Sequence, residues 1–349
     1  MGHQKITGPD DSDMTGFVII DLDGAERADG IVRSAKKVLV DGARTLARSR
    51  TYAWALMGHQ ISGASAAVNV PPDAADAGIA AFVDAVRDQV AAGALSLDAG
   101  KGVRAEQLAP LAEVDTRGPL RSETRPLGTL SDELLARGVL AAAGAALGGL
   151  DGRTLSIEGA GAATAALVSL AAEAGAKVTA VATTRGTVLD AAGLDPASIV
   201  AGLAEHGDGL PQALGSDLSP TVALETDAEV LICGSRAGLV DHLLAASLPQ
   251  PILVPVGAAP VTAKGLAVAA SRGHIVLPDF LTTSGPLHAW APGAPTSADE
   301  VIAAAEAFIG ATTTDILDHD EGPFLAASYR AEDFLRTWQE RLPFGRPLA

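Results

Sequence analysis

Gly159 and Gly161 sit where a backbone could do chemistry. They follow a short apolar run, 155–157, and precede an alanine-rich stretch, 162–174, that has the length of a helix and stops at Gly175. A second apolar run rich in β-branched residues, 177–181, comes next. Glycines between a strand and a helix let the chain approach a pyrophosphate, whose charge the free N–H groups and positive dipole end of the helix would hold. This is the first half of a dinucleotide-binding unit, with Gly159, Gly161 and Ala162 as the phosphate-facing residues. Two positions depart from that pattern. Thr164 stands where a third small residue would allow close packing, and Ala182, Thr183 and Thr184 stand where an acid would hold a ribose 2′-hydroxyl. A 2′-phosphate would meet no repulsion there, and Thr183, Thr184 and Arg185 offer it donors, so NADP is expected over NAD if a dinucleotide binds. The competing reading of Arg185 is a surface turn.

These residues need a frame. Residues 1–15 read as a flexible arm, 17–22 as a strand and 35–47 as a helix. Runs 51–56 and 64–70 flank a glycine-bearing turn. A helix is predicted over 72–91 and a strand over 95–98, followed by Asp98-Ala-Gly-Lys101. The polar stretch 115–126, with two prolines and five charges, reads as an interdomain loop. Helices at 132–147, 162–174, 197–205, 240–246 and 263–271 alternate with strands at 228–233, 252–256 and 275–277, and helices at 298–309 and 332–341 end the chain. Alternating strands and helices predict an α/β protein: an N-terminal α/β substrate and oligomerisation domain (1–130), then a Rossmann-like doubly wound parallel sheet (131–310) and a C-terminal helical segment (311–349) returning toward the first domain.

With 349 residues the chain has room for two cores. They must be built from Ala, Val, Leu and Ile, since 48% of residues are hydrophobic but only 3% aromatic. A net charge of −17 argues against a nucleic-acid or membrane-surface partner. No apolar run has membrane-spanning length, and the start of the sequence lacks the apolar core of a signal peptide. One cysteine, Cys233, permits no intrachain disulfide, so a cytoplasmic location is expected. No spacing of His, Cys, Asp and Glu suggests a metal site.

In order, Ala136-Arg-Gly-Val139, Gly175-Ala-Lys-Val178, Arg185-Gly186, Gly193-Leu-Asp-Pro196, Ala228-Glu-Val-Leu231 and Pro278-Asp-Phe-Leu281 make the chain resemble the glutamate/leucine/phenylalanine/valine dehydrogenases. That resemblance implies a substrate domain and a Rossmann domain with a cleft between them. It also implies oxidative deamination of an amino acid by hydride transfer to NAD or NADP, and oligomers formed through the N-terminal domain. Cys233 and Gly234 then lie at a cofactor-facing turn. The family holds the substrate carboxylate with one lysine and activates water with a second, twelve residues on. Here those positions fall on Ala53 and Ser65, and neither Lys36, Lys37 nor Lys101 can take them over by a small shift. Asp98 keeps the place of the family's proton-shuttling aspartate.

By the same resemblance the pocket is expected to have lost cations and amides and gained apolar and aromatic bulk, with Thr283 in place of an asparagine and Trp290 in place of a small polar residue. Lys101 could return an ammonium, or be solvated. Asp98 could equally be a turn residue, and Ser65 has no visible base. His59 and His288 lie in cleft-lining segments by the same resemblance, as acid–base groups or as structural histidines. Trp54 and Trp290 could stack on a ligand or fill space. Ordinary deamination is expected to be absent or weak. Three functions follow: an NAD(P)-dependent oxidoreductase acting on a less polar small molecule, a non-catalytic ligand-binding protein, or a conventional amino-acid dehydrogenase working by an unusual route. The chain would assemble as a homo-oligomer or pair with an intact paralogue.

Overall fold

The structure, a computed structural model, describes residues 1–7, 14–159 and 161–349. The chain divides into two compact units, one of residues 1–118 and 330–347, the other of 119–329 and 348–349.

The first unit is built on a five-stranded mixed sheet. Its elements are β1 (Gly2–Thr7), β2 (Thr15–Ile20), β3 (Ala28–Ala35), α1 (Val40–Leu56), β4 (Ser62–Asn69), α2 (Ala75–Ala91) and β5 (Leu95–Ala99), with strand order β1-β2-β4-β3-β5. Side chains alternate across the sheet. Val32, Ala64, Ala66, Val68, Leu95 and Leu97 share one core with Ile79, Phe82, Val83 and Val86 of α2. On the opposite face, Phe17, Ile19 and Ala67 pack against Ala43 and Ala47 of α1. Thr51 Oγ1 accepts a hydrogen bond from Gly63 N at 2.8 Å, fixing helix against strand.

Three expectations change here. The segment read as a flexible arm contains β1, paired antiparallel along its whole length with β2, though residues 8–13 of that arm lie outside the described residues. The helix expected at 35–47 begins only at Val40 and continues through 51–56, so Thr51, Tyr52 and Trp54 are helical despite weak propensity. Strand β3 is unexpected. Its sequence, ADGIVRSA, carries a glycine and few strand formers, but it is the one strand of this sheet paired on both sides in parallel, with β4 and β5, and tertiary pairing outweighs local preference.

The second unit opens with a short hairpin, β6 (Thr124–Arg125) and β7 (Gly128–Thr129), then α3 (Leu130–Leu147), whose N-terminus is closed by a reciprocal Thr129–Asp132 capping box. A six-stranded sheet follows in the order β10-β9-β8-β11-β12-β13. Its strands are β8 (Thr154–Glu158), β9 (Lys177–Thr183), β10 (Gly186–Leu189), β11 (Val230–Cys233), β12 (Ile252–Pro255) and β13 (Ile275–Val276). All pairs are parallel except β9–β10, an antiparallel edge where no strand is expected from the sequence. Helices α4 (Thr164–Glu173), α5 (Pro196–His206), α6 (His242–Ser247) and α7 (Ala263–Ser271) connect the strands, followed by α8 (Ala298–Leu317) and α9 (Pro323–Leu335). The last helix lies earlier than the expected 332–341. Pro323 sits at its first position, where a missing N–H costs nothing.

Ala259 has φ of 49°, the one left-handed non-glycine among the described residues, and its N–H donates to the Asp279 carboxylate at 2.8 Å. A Cβ is disfavoured in that region. Ala259→Gly is therefore expected to raise stability by about 1 kcal/mol, read as a rise of roughly 2–4 °C in the midpoint of thermal unfolding. An unchanged or lower midpoint would show that the strain is already relieved.

Candidate functional site

Register brings the first unit's candidates together. Ser65 of β4 stands beside Ile31 of β3, which stands beside Asp98 of β5, so the three occupy one row across the sheet. At one strand spacing each, the outer two lie about 10 Å apart. One pleat away on the same face are Asp29 and Arg33. Ala53 is buried in α1, one turn beyond Arg50.

The charges on this face are more numerous than expected. Arg117 spans three carboxylates: Nη1 donates to Asp29 at 2.9 Å, Nη2 to Asp98 at 3.1 Å, and Nη2 to Asp115 at 2.7 Å. Asp29 also takes an ion pair from Arg50 Nε at 3.1 Å and a hydrogen bond from Trp54 Nε1 at 3.1 Å. Burial raises the Asp29 carboxyl above its ordinary range, outweighing both guanidiniums. Burial also works against the Arg117 charge, but Asp98, Asp29 and Asp115 together raise its pKa. Asp98 is thus held by a bidentate guanidinium, the strong form of a carboxylate hydrogen bond. Arg33 reaches back along β3 to donate from Nη2 to Ser65 Oγ at 3.4 Å.

The expected loss of cations is therefore corrected. The lysines are absent, but Arg33, Arg50 and Arg117 stand on this face. Arg117 belongs to the stretch expected to be a linker, and Arg33 to the unexpected strand β3. Alternation of Asp29, Ile31 and Arg33 with apolar neighbours is the available signal.

The remaining candidates scatter. Lys101 is exposed, and its carbonyl accepts a hydrogen bond from Ser34 N. Trp54 is fully buried, so it packs α1 onto β3 rather than presenting a ring to a ligand. His59 meets it edge-on at 5.7 Å, and burial lowers its pKa. In the second unit Thr283 donates to the Asp279 carbonyl at 2.7 Å. Arg121 lies over the ring of Trp290 at 5.3 Å, and His288 sits against Phe308 at 5.2 Å.

At the carboxyl ends of β8 and β11, the glycine turn is partly self-occupied. Gly159 has φ of 93°, and a Cβ there would meet Ser235 Cβ at 2.7 Å. Glu158 accepts from Gly234 N at 3.2 Å and Ser235 N at 3.3 Å, and from the Ser235 hydroxyl. Gly161 is open, but its N–H donates to Thr164 Oγ1 at 2.8 Å. Thr164, expected to crowd the turn, therefore acts as a local cap. The Cys233 side chain is fully buried and its thiol is pushed up by burial and by Glu158, so only its backbone nears the turn.

At the end of β9, Thr183 Oγ1 donates to the Asp208 carbonyl at 2.7 Å and Thr184 Oγ1 to the Asp208 carboxylate at 2.5 Å. The missing acid is thus supplied from another part of the chain, which removes the premise for preferring a 2′-phosphate. Arg185 is exposed in the β9–β10 turn. Asp208, Gly161, Ala162, Leu203 and Leu127 line one groove of about 470 Å³. No group of three or more metal-ligating side chains occurs among the described residues, and none of their helices is long and apolar enough to cross a membrane.

Residues 132–289 match the family model for glutamate/leucine/phenylalanine/valine dehydrogenase. The glutamate dehydrogenase of Aeropyrum pernix is 28% identical over 139 residues, 40% of this chain and 33% of that protein. That of Thermotoga maritima is 27% identical over 159 residues, 44% of this chain and 38% of that protein. The matched stretch thus spans little more than a third of either relative. Two solved structures share the fold along the chain. Hetero-hexameric glutamate dehydrogenase of Thermus thermophilus, in a Leu-bound form, has a TM-score of 0.77 at 20% identity, covering 96% of this chain and 89% of that one. Plasmodium falciparum glutamate dehydrogenase also has a TM-score of 0.77, at 12% identity, covering 96% and 82%.

Proposed function

We propose that this chain, whose residues 132–289 match the glutamate/leucine/phenylalanine/valine dehydrogenase family model, is an NAD(P)-linked oxidoreductase with a rebuilt substrate pocket and little or no ordinary oxidative deamination. The observation that carries this reading is the row Ser65–Ile31–Asp98, with Asp98 clamped by Arg117. A carboxylate held by two guanidinium N–H groups is a poor proton shuttle. A bound nicotinamide cofactor would supply the hydride acceptor. Gly161 and Ala162 at the start of α4 would face its pyrophosphate, and Asp208 with Thr184 would take the ribose 2′-hydroxyl.

That ribose end fits NAD better than NADP, since a phosphate would face the Asp208 carboxylate. In fluorescence titrations, NADH is expected to bind roughly fivefold more tightly than NADPH, the size of one close charge repulsion in water. Asp208→Asn should erase most of that difference. Absence of binding by either cofactor at millimolar concentration would end the oxidoreductase reading.

The clamp on Asp98 also favours a second reading, a non-catalytic subunit that binds a small ligand and pairs with an intact relative. A similar fold is described as hetero-hexameric in Thermus thermophilus. Native mass measurement after mixing with a lysine-bearing paralogue separates the two: mixed oligomers support pairing, and homo-oligomers alone argue against it.

A further inference from the structure

Arg33 is the cation of the first unit's site that keeps a buried donor unspent. Arg50 and Arg117 are committed to Asp29, Asp98 and Asp115. Among the described residues Arg33 has no carboxylate partner. Its one hydrogen bond is the 3.4 Å contact from Nη2 to Ser65, and its Nε–H is buried without an acceptor. A guanidinium carries five donors, and leaving a buried one unpaired is costly. The chain makes room for this side chain: a Cβ on Gly100 would meet Arg33 Cγ at 3.0 Å. Half-buried Ile31 lies on the same sheet face, one pleat away, as an apolar neighbour.

The geometry points to Arg33 as the anchor of a small carboxylate with a short apolar chain, its guanidinium positioned by Ser65. The planar fork of arginine matches a carboxylate through two parallel hydrogen bonds. Ile31 offers the apolar chain a surface. Ser65, fully buried beneath the guanidinium, orients it rather than touching the ligand. This inference rests on the reading that the Ser65 face of the N-terminal sheet receives substrate, but it concerns binding and needs no cofactor.

The test uses the full chain without cofactor and two matched probes, pentanoate and pentanamide, alike in shape but not in charge. Pentanoate is expected to bind, read by calorimetry and by a shift of the Arg33 Nε signal in NMR, while pentanamide is not. Arg33→Gln should weaken pentanoate about tenfold or more, the loss of a charge-assisted contact. Arg33→Lys should retain part of the affinity, and its binding decides the question if the glutamine variant fails to fold. Equal binding of the two probes to wild type, binding of neither, or wild-type pentanoate affinity in either variant would overturn the assignment. Carboxylate binding without turnover would leave it standing while the oxidoreductase reading falls. Turnover unaffected by Arg33→Gln would do the reverse.

Discussion

Replacing Arg117 by methionine is expected to destabilise the first unit by about 3–5 kcal/mol, the usual consequence of removing one partner from a buried ion pair. The Arg117 side chain is 7% exposed and bridges Asp29, Asp98 and Asp115, so its loss strands carboxylates rather than deleting a surface contact. Urea unfolding at neutral pH reads the effect. The pH dependence checks its origin. Asp29 has a folded-state pKa above its unfolded value, because burial dominates. A raised carboxyl binds its proton more readily in the folded state, so its contribution is fully present below the unfolded pKa and is lost as pH rises through the folded pKa. Without Arg117 that folded pKa rises further. The deficit of the variant should therefore shrink as pH falls from neutral toward the acidic carboxylate range. A deficit that stays constant or grows on acidification would show that Arg117 acts through packing of its stem instead.

Oxidative deamination of L-amino acids with NAD or NADP should run about a thousandfold or more below a lysine-bearing glutamate dehydrogenase, as the loss of a catalytic base commonly costs about 4 kcal/mol or more of transition-state stabilisation. At Ala53 a buried methyl group stands where the family's carboxylate-binding lysine is expected, and at Ser65 a buried hydroxyl stands where its water-activating lysine is. Asp98 spends its charge on Arg117. Reduced-cofactor absorbance with such a dehydrogenase as positive control measures the difference, and a rate within tenfold of the control would refute it. Restoring one lysine is not expected to rescue the reaction. Ser65→Lys would put an ammonium into a fully buried position against the Arg33 guanidinium, and a fall in stability should appear before any gain in rate.

The second unit is legible in the sequence because its signals are local. A strand, a glycine turn, a helix and a second strand lie within thirty-odd consecutive residues, and each reads from its own periodicity. The later strands at 228–233, 252–256 and 275–277 appear close to where they are expected. The identities of Ala53 and Ser65, where the resemblance leads one to expect lysines, are also legible, since they are facts of the sequence.

The first unit's site is not legible, because its partners are far apart in the chain. Arg117 meets Asp29 across 88 positions and Asp98 across 19, and Arg33 meets Ser65 across 32. Asp208 reaches Thr184 across 24 positions to supply the acid that β9 lacks. Composition and spacing determined the fold class, the family likeness and the missing lysines, all properties of residue identity and short-range pattern. Strand pairing on both sides of β3 decided that the site is lined with arginines. Charge is carried by residues, but its placement depends on which strands lie side by side, and long-range packing settles that.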